Sequence, residues 1–249
     1  MSDKLDLDRF VDDVRRANLE RDAQQAVDEV LARAVSEPAR VLAGLGETRG
    51  AGFHALHAAD DLTILDVVWA PLMLLLPHNH NMWASIGIYS GREDNILWER
   101  RSSVVKAVRA ASLSEKEVFP LPEDAIHSVS NPIRRLTGAI HVYGGNFVTA
   151  GRSEWDPETL SERPFDIDAA RATFREANAR FESERQARLP ERFCSPEGPR
   201  SAWSWAAGER IACQGNEYSQ PACQVNWART RCSSGTPFKQ CSRPQRVAT

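Results

Sequence analysis

An all-β core, closed as a sandwich or barrel and flanked by α-helices, is the fold class that the sequence predicts. Three observations lead there. Between residues 50 and 150 the chain breaks into many short runs rich in β-branched and aromatic residues, separated by turn-forming residues. On either side of that stretch, apolar residues recur at three- and four-residue spacing instead. The length of 249 residues, with 42% hydrophobic and 26% charged, suffices for a packed core and excludes a disordered or collagen-like chain.

Residues 4–45 read as helix. Leu5, Phe10, Val11, Val14, Leu19, Ala26, Val27, Val30, Leu31 and Val35 form an apolar stripe among Asp, Arg and Glu. Glu37-Pro38 predicts a break before a short second helix, which Gly44 and Gly46 close. Strands are then predicted over 53–57, 62–69, 73–76, 83–89, 96–100, 103–108, 117–120, 126–129, 136–143 and 147–149. The punctuation between them is Asp60-Asp61, Pro71, Pro77 and the polar run 90–95. Residues 166–188 return to helix, with Ile167, Ala170, Phe174, Ala177 and Phe181 along one stripe. The domain reading is therefore 1–49 as a helical layer, 50–165 as the barrel, 166–189 as a C-terminal helix and 190–249 as a tail without packed structure. The tail has no leucine, no period, and no acidic residue after Glu217.

The net charge of −3 makes no global case for nucleic acid as a partner. The longest apolar run, 67–76 with Pro71 inside it, is too short to span a bilayer. The start is acidic and lacks an apolar signal region, so a cytoplasmic protein without a membrane partner is expected. All five cysteines fall between 194 and 241, odd in number and without a Cys-x-x-Cys pair. That spacing argues against a zinc site and against a disulfide framework.

All six histidines lie between 54 and 141, and His78-Asn79-His80 is the sharpest feature. In a strand, such a pair points to one face about 6–7 Å apart, close enough for two imidazoles to grip one metal ion. Gly91 follows, and then Pro122, His127 and Asn131, with His127 standing 47 residues after His80. His54 and His57 are three apart, face opposite sides of a strand, and read as structural or exposed.

This set of residues resembles the cupin superfamily, whose fold is a small double-stranded β-helix (jelly-roll) barrel. Its first motif, His-x-His-x(3–4)-Glu-x(6)-Gly, fits at His78, His80 and Gly91. Its second, Pro-x-Gly-x-x-His-x-x-x-Asn, fits at Pro122, His127 and Asn131. Ala84 stands at the glutamate position and Asp124 at the glycine position, which leaves three histidines as ligands. A three-histidine cupin resembles the cysteine dioxygenase-like thiol dioxygenases. Residues 83–100 and 125–147 look especially like bacterial predicted metal-dependent double-stranded β-helix enzymes. Trp69, nine residues before His78, and His141-Val142-Tyr143 match that group further, while Ala139 replaces its serine.

The resemblance implies Fe(II) held by His78, His80 and His127, with His141 and Tyr143 as catalytic residues. It implies oxidation of a small thiol, 3-mercaptopropionate- or cysteine-like, to its sulfinate with O2. Ligand type alone also suits Zn, Ni or Cu. Arg152, nine residues after Tyr143, matches the kind of position from which the 3-mercaptopropionate type binds the substrate carboxylate, and Arg49 is the next candidate. Ala139 leaves the orientation of His141 to another partner, such as water. The barrel has no cysteine to crosslink to Tyr143. Trp69 and Trp83 read as core or pocket wall. Two rival readings remain: a non-catalytic cupin that binds a ligand or senses metal, and another metallocupin enzyme.

Overall fold

The computed structural model describes residues 4–46, 50–102 and 104–188. Arg49 and the segment 189–249, including the tail read from the sequence, lie outside the described residues.

The N-terminal layer is three helices, α1 (Leu7–Ala17), α2 (Ala23–Val35) and α3 (Pro38–Leu45). The predicted break at Glu37-Pro38 is present, with Pro38 in the first turn of α3. The chain also breaks earlier than the stripe suggests, between Asn18 and Asp22. There Leu19 and Glu20 close a tight turn on the carbonyls of Arg16 and Ala17. Asn and Asp compete with helix through their own backbone hydrogen bonds, and Leu19, counted into the stripe, is 81% exposed.

Eleven strands follow among the described residues: β1 (Gly52–Ala58), β2 (Thr63–Trp69), β3 (Leu74–Asn79), β4 (Ala84–Ser90), β5 (Arg92–Arg101), β6 (Val104–Ser114), β7 (Val118–Leu121), β8 (Ile126–Ser130), β9 (Thr137–Tyr143), β10 (Ser153–Trp155) and β11 (Glu162–Pro164). Helix α4 (Ile167–Arg188) closes the described chain. The strands make two antiparallel sheets, ordered β1-β2-β9-β4-β7 and β11-β10-β3-β8-β5-β6.

The pairing is nested: β2 with β9, β3 with β8, β4 with β7, β5 with β6. That is one long hairpin with its tip between β5 and β6, wound so that successive rungs fall into alternate sheets. Lateral pairs β4–β9 and β5–β8 complete each sheet. The fold is a double-stranded β-helix of cupin type.

Three local differences from the sequence reading bear on the site. The polar run 90–95 is not a turn. Only Gly91 breaks the strand, at φ +83, where an added Cβ would lie 2.4 Å from Thr137 Oγ1. Strand β5 starts directly after it, at Arg92. Residues 147–149 form a turn rather than a strand, because the Asn146 side-chain oxygen accepts from the backbone N–H of Val148 and Thr149. Strands β10 and β11 are three residues each, too short to show a period.

Two apolar clusters hold the layers. One lies between the sheets and includes Leu65, Val67, Trp69, Ile86, Val129 and Phe174. The other packs Phe10, Val27, Leu31 and Val41 of the helices on Ile64, Ile140 and Val142. Strands β2 and β9 are thus covered on both faces, which is why they read as near-continuous apolar runs. Asn178 docks α4 on the start of β1, accepting from Ala51 N–H and donating to Ala51 C=O, both at 2.6 Å. No helix among the described residues is long and apolar enough to cross a membrane.

Candidate metal centre

His78 and His127 are cross-strand partners on β3 and β8. His80 follows β3 directly and turns its ring onto the same point. The ligand nitrogens of the three lie within 4.8 Å of one another, and all three residues are buried. His80 Nε2 and His127 Nε2 are 3.3 Å apart. A metal ion about 2.1 Å from each nitrogen would hold such a pair about 3.0–3.4 Å apart, so the spacing fits a shared cation.

The proton positions agree with that. His78 Nδ1 donates to the carbonyl of Leu76 at 2.8 Å, which leaves its Nε2 lone pair free. The register of β3 on β8 shifts between Leu75 and His78, over the stretch that includes Leu76 and Pro77. Burial pulls His78 down to about 4 and pulls His80 and His127 well below the usual imidazole value. All three are therefore neutral at pH 7, the form in which an imidazole can ligate a metal. No carboxylate belongs to this set, and Ala84, at the expected glutamate position, is core.

Beside the triad, His141 and Tyr143 line the same cavity from β9, with His141 Nδ1 3.1 Å from the Tyr143 hydroxyl. Burial raises the Tyr143 hydroxyl well above its ordinary value, so it stays protonated at neutral pH. The Tyr143 ring meets His80 edge-on at 5.0 Å and stacks on Phe147 at 4.2 Å. Arg152 reaches the cavity from the loop after β9. Its guanidinium sits between Phe147 and Phe165, 4.0 and 4.3 Å from the ring centroids. Its Nη1 is buried with no hydrogen-bond partner. A cation held in that way carries unspent capacity for an anion.

The cavity is otherwise apolar, walled by Leu65, Val67, Leu75 and Val129, with Phe174 of α4 across it. About 50 Å³ is open to the centre of a water-sized sphere, room for about three to five waters, which suits a small molecule. Trp69 lines this cavity, whereas Trp83 packs in the helical cluster. His54 is exposed on β1. Asn131 is a structural clamp whose amide donates to the carbonyls of Trp69, Ala70 and Arg135.

Two residues at the site escaped the sequence reading. Glu93 and Asn95, on the inward face of β5, are fully buried. Glu93 accepts from Trp69 Nε1 at 2.8 Å and from Asn95 Nδ2 at 2.9 Å. Its Oε2 also faces His141 Nε2 at 3.6 Å. That distance is beyond a hydrogen bond, and His141 Nε2 is buried with no hydrogen-bond partner among the described residues, so the carboxylate is a neighbour of His141 and the partner expected in place of the serine is not supplied by a side chain. Asn95 Oδ1 in turn receives His127 Nδ1 at 2.8 Å. Alternation of Glu93, Asn95 and Leu97 was the available signal, hidden because its inward members are polar.

No protein-family model and no curated protein matches the chain. Solved structures similar to it include a cupin family protein with a double-stranded β-helix fold from Methanocaldococcus jannaschii, at 12% identity and TM-score 0.35, covering 41% of this chain and 86% of that one. A Klebsiella pneumoniae protein with a double-stranded β-helix domain is similar at 11% identity and TM-score 0.35, over 44% and 82%. A DMSP lyase from Ruegeria pomeroyi is similar at 14% identity and TM-score 0.34, over 41% and 50%. The fold assignment rests on the nested strand pairing, and the site on its own geometry.

Proposed function

We propose that this protein is an iron-dependent dioxygenase of small carboxylate-bearing thiols, 3-mercaptopropionate- or cysteine-like, converting thiol and O2 to sulfinate and a proton. The observation that carries the reading is the unpaired Arg152 guanidinium on the same small cavity as three neutral histidines and the His141–Tyr143 pair. Iron(II) bound by His78, His80 and His127 would supply O2 activation and lower the thiol's pKa.

The chain's own residues do the rest. Arg152 takes the substrate carboxylate, and its two phenylalanine faces keep the guanidinium aimed. The protonated Tyr143 hydroxyl offers a hydrogen bond to the developing oxygen-rich group, and His141 holds that hydroxyl in place. The apolar wall excludes bulk water and strengthens both contacts.

The test is oxygen consumption by protein loaded with iron(II) under anaerobic conditions, against 3-mercaptopropionate, cysteine and cysteamine. The expected result is one O2 per carboxylate thiol, with both atoms of ¹⁸O2 recovered in the sulfinate. Metal binding without oxygen uptake on any thiol would leave a non-catalytic metal-binding barrel.

A further inference from the structure

We propose that Glu93 is a positioning residue that fixes the proton on His127 and so makes it a metal ligand. The inference rests on the metal half of the reading above and not on the reaction assigned to it. Glu93 is 0% exposed and its two oxygens face donors, the Trp69 indole N–H at one and the Asn95 amide at the other. Both oxygens accept in this arrangement, since an indole N–H and an amide NH2 can only donate. Asn95 thus turns its NH2 toward Glu93, and that leaves its Oδ1 toward His127. His127 then has to donate from Nδ1, and its lone pair sits on Nε2, the nitrogen 3.3 Å from His80 Nε2. One carboxylate, two steps from the ligand nitrogen, decides where the lone pair is.

The relay has a definite failure mode. In Glu93→Gln the new amide faces two donors and must present its own NH2 to one of them. Turned toward Asn95, it favours rotation of that amide, which then donates to His127 Nδ1 and moves the imidazole proton to Nε2. The ligand nitrogen is then blocked at almost unchanged shape. The double variant E93Q/N95D restores the order: the introduced amide donates to the introduced carboxylate, and that carboxylate accepts from His127 Nδ1.

Two measurements test this. The first is Co(II) titration, followed by its visible spectrum, on wild type, E93Q and E93Q/N95D, with circular dichroism as the check on folding. E93Q should bind about 10- to 100-fold more weakly, and the double variant should recover most of that. Equal affinity in E93Q overturns the inference, as does a folded double variant no better than E93Q. Wild type that binds no Co(II) removes the metal reading itself.

The second measurement needs no variant at Glu93. Histidine-selective ¹⁵N NMR of metal-free wild type, with His127 assigned by comparison with His127→Gln, should show the Nδ1–H tautomer. An Nε2–H tautomer overturns the inference even if E93Q fails to fold.

Discussion

Trp69 and Glu93 stand on strands of opposite sheets and are joined by an indole N–H donating to a carboxylate oxygen at 2.8 Å. The bond crosses the barrel interior, where neither partner reaches water. It ties the wall of the cavity to the residue that organises the polar groups beneath it.

Trp69→Phe should therefore cost more than its lost apolar area. It leaves a buried Glu93 oxygen with one donor fewer, a loss of about 1–3 kcal/mol. Urea unfolding of the metal-free variant should show that drop. A change below about 0.5 kcal/mol would mean that water or His141 replaces the indole without penalty.

Metal content separates the three histidines from the rest. His78→Ala, His80→Ala and His127→Ala should each lose stoichiometric iron on purification. His54→Ala, altered on the exposed face of β1, should keep it. Full iron in His127→Ala would remove that residue from the ligand set.

Substrate charge is read at Arg152. Losing a buried charge-assisted contact costs roughly 2–4 kcal/mol, about 30- to 1000-fold in kcat/KM. Arg152→Ala should depress 3-mercaptopropionate by that factor and leave cysteamine, which has no carboxylate, nearly unaffected. Equal loss for both would indicate a folding effect. No loss would turn attention to Arg49.

The metal-free protein should lose stability in weak acid. His78 takes up its proton at about pH 6.5 when unfolded, but folded it refuses one until about pH 4. Over that window the unfolded chain binds more protons, so stability falls as pH falls. His78 alone accounts for roughly 2–3 kcal/mol between pH 6.5 and pH 4.5. His80 and His127 shift in the same direction and add to it. Urea midpoints measured from pH 7.5 to pH 4.5 check the slope. Bound metal should abolish most of it above the pH at which protons displace the ion.

The barrel was legible in the sequence because most of its strands advertise themselves. Strands β2, β4 and β9 are short, mostly apolar runs rich in β-branched and aromatic residues, and Gly91 marks a corner that accepts no side chain. His78 and His80 stood out by strand spacing, and His127 joined them through the resemblance to the cupin motifs; the structure brings the three together. Glu93 and Asn95 were not. A strand that points charge inward and Ile96 outward imitates a loop to any reading based on polarity, and the 39% exposure of Ile96 confirms the inversion. Strands β10 and β11 were missed for want of length, and the break after Asn18 because Leu19 kept the helical spacing without being buried. Arg152 was singled out through the family resemblance, but its stacking between Phe147 and Phe165 follows a turn at 147–149 where a strand was expected.

The nested ladder also prescribes an order of assembly. Its innermost rung, β5 on β6, closes the shortest loop, and each rung outward closes a longer one at greater entropic cost. His80 and His127, 47 residues apart in the chain, meet only at the third rung. A cation at these histidines could be gripped by both strands only once that rung is paired, unlike in small zinc modules where the metal drives folding. A chain paired only at its inner rungs does not yet bring the three histidines together.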